Sequence, residues 1–278
     1  MSLKSIFFGL VVEEGDVPMS AIRFALDLAA ENEAHLRVGL AAPKFEAATG
    51  LLVQEIQGML NEINARRHER AVKLAEDIRT MSVAAGVALT TEVAHAPYYD
   101  VREKIVQMAR VSDVILMGRS GEMSPSERDF AEDVLFNSGR PLMIVPQGLD
   151  RRGPFAKIVV AWDGGARAAR AVGDAMSLLS QATAVEVVTV AGDPDKSTSV
   201  EGAQIAQHLS RHCRNVSATE LPRLERSTGQ ALRSHAMLAR ADLLVMGGYA
   251  HSRLRQFVLG GVTSDMLAAA TFPILMSY

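Results

Sequence analysis

A single cysteine, Cys213, occurs in 278 residues. One thiol cannot build an internal disulfide framework, so the composition points to a reducing compartment and to Cys213 as a passive thiol. No apolar run approaches the roughly 20 residues needed to cross a bilayer, and the N-terminus lacks the basic region, apolar core and small-residue cleavage site of a signal peptide. The expected location is therefore the cytoplasm. An excess of positive charge is also missing: the formal net charge is -3 and no dense Lys/Arg stripe occurs. Attraction to nucleic acid or to an anionic membrane thus has little electrostatic basis. Several catalytic signatures are missing too. There is no G-x-S-x-G elbow, no G-x4-G-K-[ST] phosphate loop, and no G-x-G-x-x-G after a first strand. S-G-G-x-D-S and H-x-G-H are equally absent. No nucleophile with its base can be named, so turnover beyond a weak ATPase is not expected.

What is present is ordinary globular composition, 48% hydrophobic and 22% charged, in a chain long enough for two domains of about 140 residues with two cores. An internal repeat organises it. "SDVILMGRSG" (Ser112 to Gly121) matches "ADLLVMGGYA" (Ala241 to Ala250), "KSIFFGLV" from Lys4 matches "KIVVAWDG" from Lys157, and "AHLRVGLAA" from Ala34 matches "AVEVVTVAG" from Ala184. "RPLMIVP" from Arg140 pairs with "FPILMSY" from Phe272 in the same order. The duplication predicts domains at 1–148 and 154–278, separated by the polar, proline-bracketed "PQGLDRRGP". The first half carries 24 additional residues between its first and fourth strands, and they fall in one long helix from Leu52. There Ile56, Met59, Ile63, Ala71, Leu74, Ala75 and Ile78 share a face.

Runs such as Ile6 to Val12, Val114 to Met117, Ile158 to Ala161 and Leu243 to Met246 are apolar throughout, as strands buried on both faces of a parallel sheet are. Helical patterns alternate with them at about Met19 to Ala30, Asp100 to Val111, Ala166 to Leu179 and Thr228 to Arg240. This alternation predicts an α/β protein of two tandem open-sheet domains with helices on both faces. Ligands of such sheets sit beyond the strand carboxyl ends, where strand order reverses. Methionines at Met59, Met108, Met117, Met237 and Met246 read as core filling, and Trp162 reads as core or as the rim of the ligand mouth.

One stretch lies at such a carboxyl end: "MGGYAHSRLRQFVLGGVTSDML", from Met246 to Leu267. Gly247, Gly248, Gly260 and Gly261, with a helix from about Val262, provide what a phosphate loop needs. These are free backbone N–H groups, no Cβ where the ligand approaches, and a helix N-terminus favouring negative charge. The spacing Gly247-x2-Ala250-x9-Gly260-Gly261 comes close to G-x2-G-x9-G-[S/T]. At the end of a fourth strand, in a domain closing with a "P-[VI]-L" strand, that pattern resembles the universal stress protein family, once per half. The resemblance implies two five-stranded parallel sheets of the adenine nucleotide α-hydrolase-like type, paired as an internal pseudo-dimer or in a homodimer. It also implies an adenine nucleotide (ATP, ADP or AMP, with Mg for the triphosphate) and a stress-response role. Carried over by position, the nucleotide contacts fall on Ala161 and Asp163 after the first strand of the second half, on Val190, and on Met246, Gly247, Ala250, Gly260, Gly261, Val262 and Thr263. Two residues depart from the pattern. Ala250 replaces a glycine, at a cost of about 1 to 2 kcal/mol if positive φ is required. Gly261 replaces a hydroxyl residue, which costs roughly 1.5 to 3 kcal/mol where the lost bond goes to a charged phosphate.

The first half reads as a poorer nucleotide site. Gly118 and Gly121 keep the opening of the loop, but no Gly-Ser precedes the helix. Glu13, Glu14 and Asp16 replace the single aspartate, and Asp129, Glu132 and Asp133 are expected to crowd the phosphate region. His208 and His212, four apart on a predicted helix, lack a third ligand and read as a solvated face. The rival to nucleotide binding is an interaction protein without ligand, whose degenerate loop is a remnant.

Overall fold

The computed structural model describes residues 3–13, 15–46, 53–119, 121, 123–149, 153–191, 201–222, 227–248 and 261–278. The first half contains β1 (Ser5–Val11), α1 (Met19–Asn32), β2 (His35–Ala41), α2 (Val53–Ala85), β3 (Leu89–Ala94), α3 (Tyr98–Ala109), β4 (Val114–Arg119), α4 (Pro125–Asn137) and β5 (Leu142–Pro146). The second contains β6 (Lys157–Ala161), α5 (Ala166–Asp174), α6 (Met176–Leu179), β7 (Ala184–Val190), α7 (Gly202–Leu209), β8 (Val216–Leu221), α8 (Thr228–Leu238), β9 (Leu243–Gly247), α9 (Gly261–Ala269) and β10 (Ile274–Ser277). The long helix of the first half spans 33 residues and its counterpart α7 spans 8, which accounts for the extra length. The single helix expected over Ala166 to Leu179 is instead two, broken at Ala175.

Each half is a parallel sheet with its first strand in the middle, and the ten strands form one sheet in the order β3-β2-β1-β4-β5-β10-β9-β6-β7-β8. The junction is the antiparallel pair β5·β10, with Met143 opposite Leu275. Because the same strand of each half meets its counterpart, the halves form an internal pseudo-symmetric pair. The apolar interior is divided differently from the sequence expectation of one core per half. Strand side chains alternate between faces, so Met143, Val145 and Leu275 join the layer under α1, α2, α5, α6 and α7. Leu142, Ile144, Ile274 and Met276 join the layer under α3, α4, α8 and α9. Two cores exist, but the sheet separates them and each runs through both halves.

Part of the repeat is a structural clip. Asp113 accepts the backbone N–H groups of Lys4 and Ser5 through Oδ2, at 2.7 and 2.9 Å. Asp242 accepts those of Ala156 and Lys157 in the same way, both at 2.8 Å. In each half a carboxylate just before the fourth strand thus fastens the start of the central strand. Helix α2 lies over the sheet with Ala71 and Ile78 fully buried. Its Asn64 side chain bonds both the N–H and the carbonyl of Phe45 at 2.9 Å, and the Arg67 guanidinium stands 4.3 Å above the Phe45 ring. Methionines divide: Met117 and Met246 are core residues, whereas Met59 and Met237 are exposed and fill no core. Trp162 is 6% exposed and belongs to the core under α5.

Candidate functional site

Strand order reverses between β6 and β9 in the second half and between β1 and β4 in the first. Register places Val160 beside Val245, so the chain leaves β6 at Ala161 next to the end of β9 at Met246 and Gly247. Ala161 and Met246 are buried, and Asp163 follows at the mouth. Asp163 Oδ1 accepts the N–H of Gly165 at 2.7 Å, closing the turn into α5, and Gly164 takes φ +79 in that turn, where a side chain would be strained. No described residue donates to Asp163 Oδ2. Val190 ends β7, one strand away, and is buried. Gly261 begins α9, Val262 packs against the core and Thr263 is 2% exposed. Ala250 and Gly260 lie outside the described residues, as does Glu14 at the first-half mouth.

Gly247 has a reason to be glycine that involves no ligand. A Cβ there would stand 2.8 Å from the backbone nitrogen of Ala168 and 3.0 Å from the carbonyl carbon of Arg167, so the strand end presses on the first turn of α5. Gly118, its counterpart, would meet Ala21 Cβ and Pro18 Cγ at 2.7 Å near the start of α1. The repeated glycine is thus a packing residue in both halves. Gly248 makes room across the junction, where a Cβ would stand 2.9 Å from the Leu135 side chain of the first half.

The first-half mouth differs. A cavity of about 240 Å³ is lined by Val12, Glu13, Asp16, Pro18, Ser124 and Glu127, among others. The helix end beside it is capped from within: Ser124 Oγ accepts the Glu127 N–H at 3.2 Å, and the Ser124 N–H donates to Glu127 Oε2 at 2.8 Å. Ser126 Oγ donates to the Glu13 carboxylate. Burial pushes the Glu127 carboxyl above its ordinary range, against lowering hydrogen bonds from Ser124. A carboxylate of the chain therefore sits where a phosphate would approach the α4 N-terminus. Of Asp129, Glu132 and Asp133, expected to crowd the phosphate region, two are drawn to α3. Asp133 holds Arg102 of α3 at 2.6 Å and Asp129 holds it at 3.5 Å, an ion pair between two helices. The S-x-x-E capping signature at Ser124 was the available signal for this internal cap.

The histidine pair also falls differently: α7 ends at Leu209, leaving His212 beyond it, with the two rings 5.2 Å apart. No cluster of three or more His, Cys, Asp or Glu that could hold a metal ion occurs among the described residues. Cys213 is buried, and burial raises its thiol above the ordinary range, which disfavours the thiolate. No helix among the described residues is long and apolar enough to cross a membrane.

A duplicated β-α unit with central first strand, joined edge to edge and with a closely packed glycine at the end of each fourth strand, defines a tandem open-sheet α/β protein. Residues 154–277 match the model of the Universal stress protein family. A universal stress protein from Archaeoglobus fulgidus DSM 4304 superposes with TM-score 0.73 at 14% identity, over 98% of this chain and 95% of that one. A functionally unknown protein from Pseudomonas aeruginosa PAO1 does so with TM-score 0.55 at 14% identity, over 99% and 92%. At that identity these likenesses concern the fold alone, which is shared over both halves of the chain. A search of curated proteins by sequence finds no match.

Proposed function

We propose that the second half binds an adenine nucleotide at the mouth between β6 and β9, with no or slow hydrolysis, in a cytoplasmic stress-response protein whose two halves act as an internal pair. The contrast between the two helix N-termini carries this reading. Helix α4 is closed by its own Ser124 and Glu127, while α9 begins at Gly261 after Gly260, residues with no side chain to accept an amide N–H. Unsatisfied amides at a helix N-terminus favour an anion. Asp163, at the same mouth with Oδ2 facing no described donor, suits a ribose hydroxyl. These residues fit a nucleotide without a dedicated metal cage, and any Mg would travel with the phosphates. Ala161, Val190, Met246, Gly247, Ala250, Gly260, Gly261, Val262 and Thr263 complete the proposed set.

The packing role of Gly247 favours a second reading, a protein without ligand acting through its surfaces. Melting with ATP and magnesium separates the two. A ligand that binds only the native state stabilises by RT ln(1 + [L]/Kd), about 2.7 kcal/mol at a hundredfold excess over Kd. ATP is expected to raise the melting temperature, Asp163→Ala to abolish the rise, and Asp16→Ala to leave it intact. No rise at millimolar ATP, with no nucleotide released from denatured protein, selects the second reading. Loss of the rise in Asp16→Ala would move the site to the first half.

A further inference from the structure

Arg119, the last residue of β4, is a cation only 8% exposed, and it reaches out of its own half. Its Nη1 donates to the carbonyl of Leu267 and its Nη2 to that of Ala270, the oxygens that end α9 in the second half. Around it Ile144 and Pro146 of β5 and Met266, Phe272 and Ile274 of the second half close a largely apolar wall. A helix leaves its final carbonyls unsatisfied and carries negative partial charge there, so a guanidinium, with its charge and several donors, suits that end. The repeat places Gly248 at the corresponding position of the second half. That glycine admits Leu135 of α4, so the two crossing contacts are not equivalent: a bidentate cation holds α9 from one side, and an apolar side chain holds α4 from the other. On its own side Arg119 lies within electrostatic range of Glu127, the carboxylate that closes the first-half helix.

We propose that Arg119 is a positioning residue for the second-half site, through which the first half sets the place of α9 and thereby of the amides at its N-terminus. The inference rests on the nucleotide reading above. A nine-residue helix held at its C-terminal end has its axis set by that grip, and with it the direction of its N-terminal amides. Released from Arg119, α9 keeps its contacts with α8, where the Ser227 hydroxyl donates to the Asp265 carboxylate and Arg233 Nη1 donates to the Asp265 carbonyl at 2.9 Å. It therefore stays folded while its outer end is free to move.

Calorimetric titration with ATP and magnesium, far below the melting temperature, tests this on the full chain. Arg119→Met, which keeps volume and removes the donors, is expected to weaken ATP by about 3- to 30-fold, the usual range for a coupling residue outside the site. Arg119→Lys is expected to lie between the two. Asp113→Asn weakens the first-half clip with Arg119 in place, and is expected to keep wild-type affinity despite a lower melting temperature. Wild-type affinity in Arg119→Met, or an equal loss in Asp113→Asn, overturns the positioning role and leaves the nucleotide reading standing. No binding by the wild type overturns both. If Arg119→Met fails to fold, Arg119→Lys decides: affinity equal to the wild type refutes the role, and weakened affinity with native circular dichroism supports it.

Discussion

Replacing Gly247 by alanine in the ligand-free protein separates a packing glycine from a ligand-binding one. The new Cβ would stand 2.8 Å from Ala168 N and 3.0 Å from both the carbonyl carbon and the Cβ of Arg167. Two of those atoms are backbone of the first turn of α5, so relief requires the helix to slide on the strand. Overpacking of this kind costs typically 1 to 3 kcal/mol. Removing a glycine from a strand returns roughly 0.5 to 1 kcal/mol of chain entropy. Sterics win, and the net destabilisation is about 1 kcal/mol, or about 2 °C in a chain of this size. Gly173→Ala is the internal control: Gly173 lies exposed in the last turn of α5 with open space around it, and the same change there is expected to stabilise by about 0.5 to 1 kcal/mol. Gly118→Ala, against Ala21 and Pro18, should follow Gly247→Ala. Thermal melts of the purified variants without nucleotide read all three. A Gly247→Ala protein melting at or above wild type would show that α5 does not occupy the space, and the glycine would revert to the ligand.

Two further expectations concern pH. Burial pushes the Glu186 carboxyl up, but hydrogen bonds from Thr219, Lys157 and His235, at 2.9, 3.2 and 2.9 Å, outweigh it and leave it below its ordinary 4.5. A lowered carboxylate contributes stability that is present above the unfolded value and disappears as pH falls through the folded one. Glu186→Gln should therefore flatten the loss of unfolding free energy below about pH 4.5 in urea titrations; a profile parallel to wild type there contradicts the network. His95 is lowered from 6.5 chiefly by burial, against the raising bond to the Ala42 carbonyl, with Lys44 and the stacked His68 ring lowering it further. Its neutral form is favoured in the fold, so stability is full above 6.5 and declines as pH falls below it. His95→Asn is expected to reduce that decline between pH 7 and 5, and an unchanged slope would place the acid sensitivity elsewhere.

Much of the site's neighbourhood was legible because it is written locally. The "AWDGG" turn is built from neighbours in sequence: Asp163 accepts the N–H of Gly165, two residues on, at the N-cap of α5. The S-x-x-E at Ser124 is equally local, yet sequence spacing points to Asp129, Glu132 and Asp133 as the carboxylates crowding the phosphate region. Sequence spacing shows that carboxylates follow a helix start, but only the packing of α3 on α4 shows that Arg102 takes two of them. The glycine at the end of each fourth strand was visible as a repeat, while its cause was not. What a Cβ would strike at position 247 belongs to α5, some 80 residues away in sequence.

By itself the sequence determined the alternation of buried strands and helices, the duplication, the long first-half helix and the class of fold, since hydrophobic period and turn chemistry act over a few residues. Tertiary structure alone decided that β5 meets β10, so that ten strands make one sheet and each apolar layer runs through both halves. It also decided that a buried arginine of one half holds a helix of the other. Contacts between residues about 130 to 150 positions apart leave no local signature, because any apolar edge strand or any arginine satisfies the same pattern until the chain has folded and chosen its neighbour.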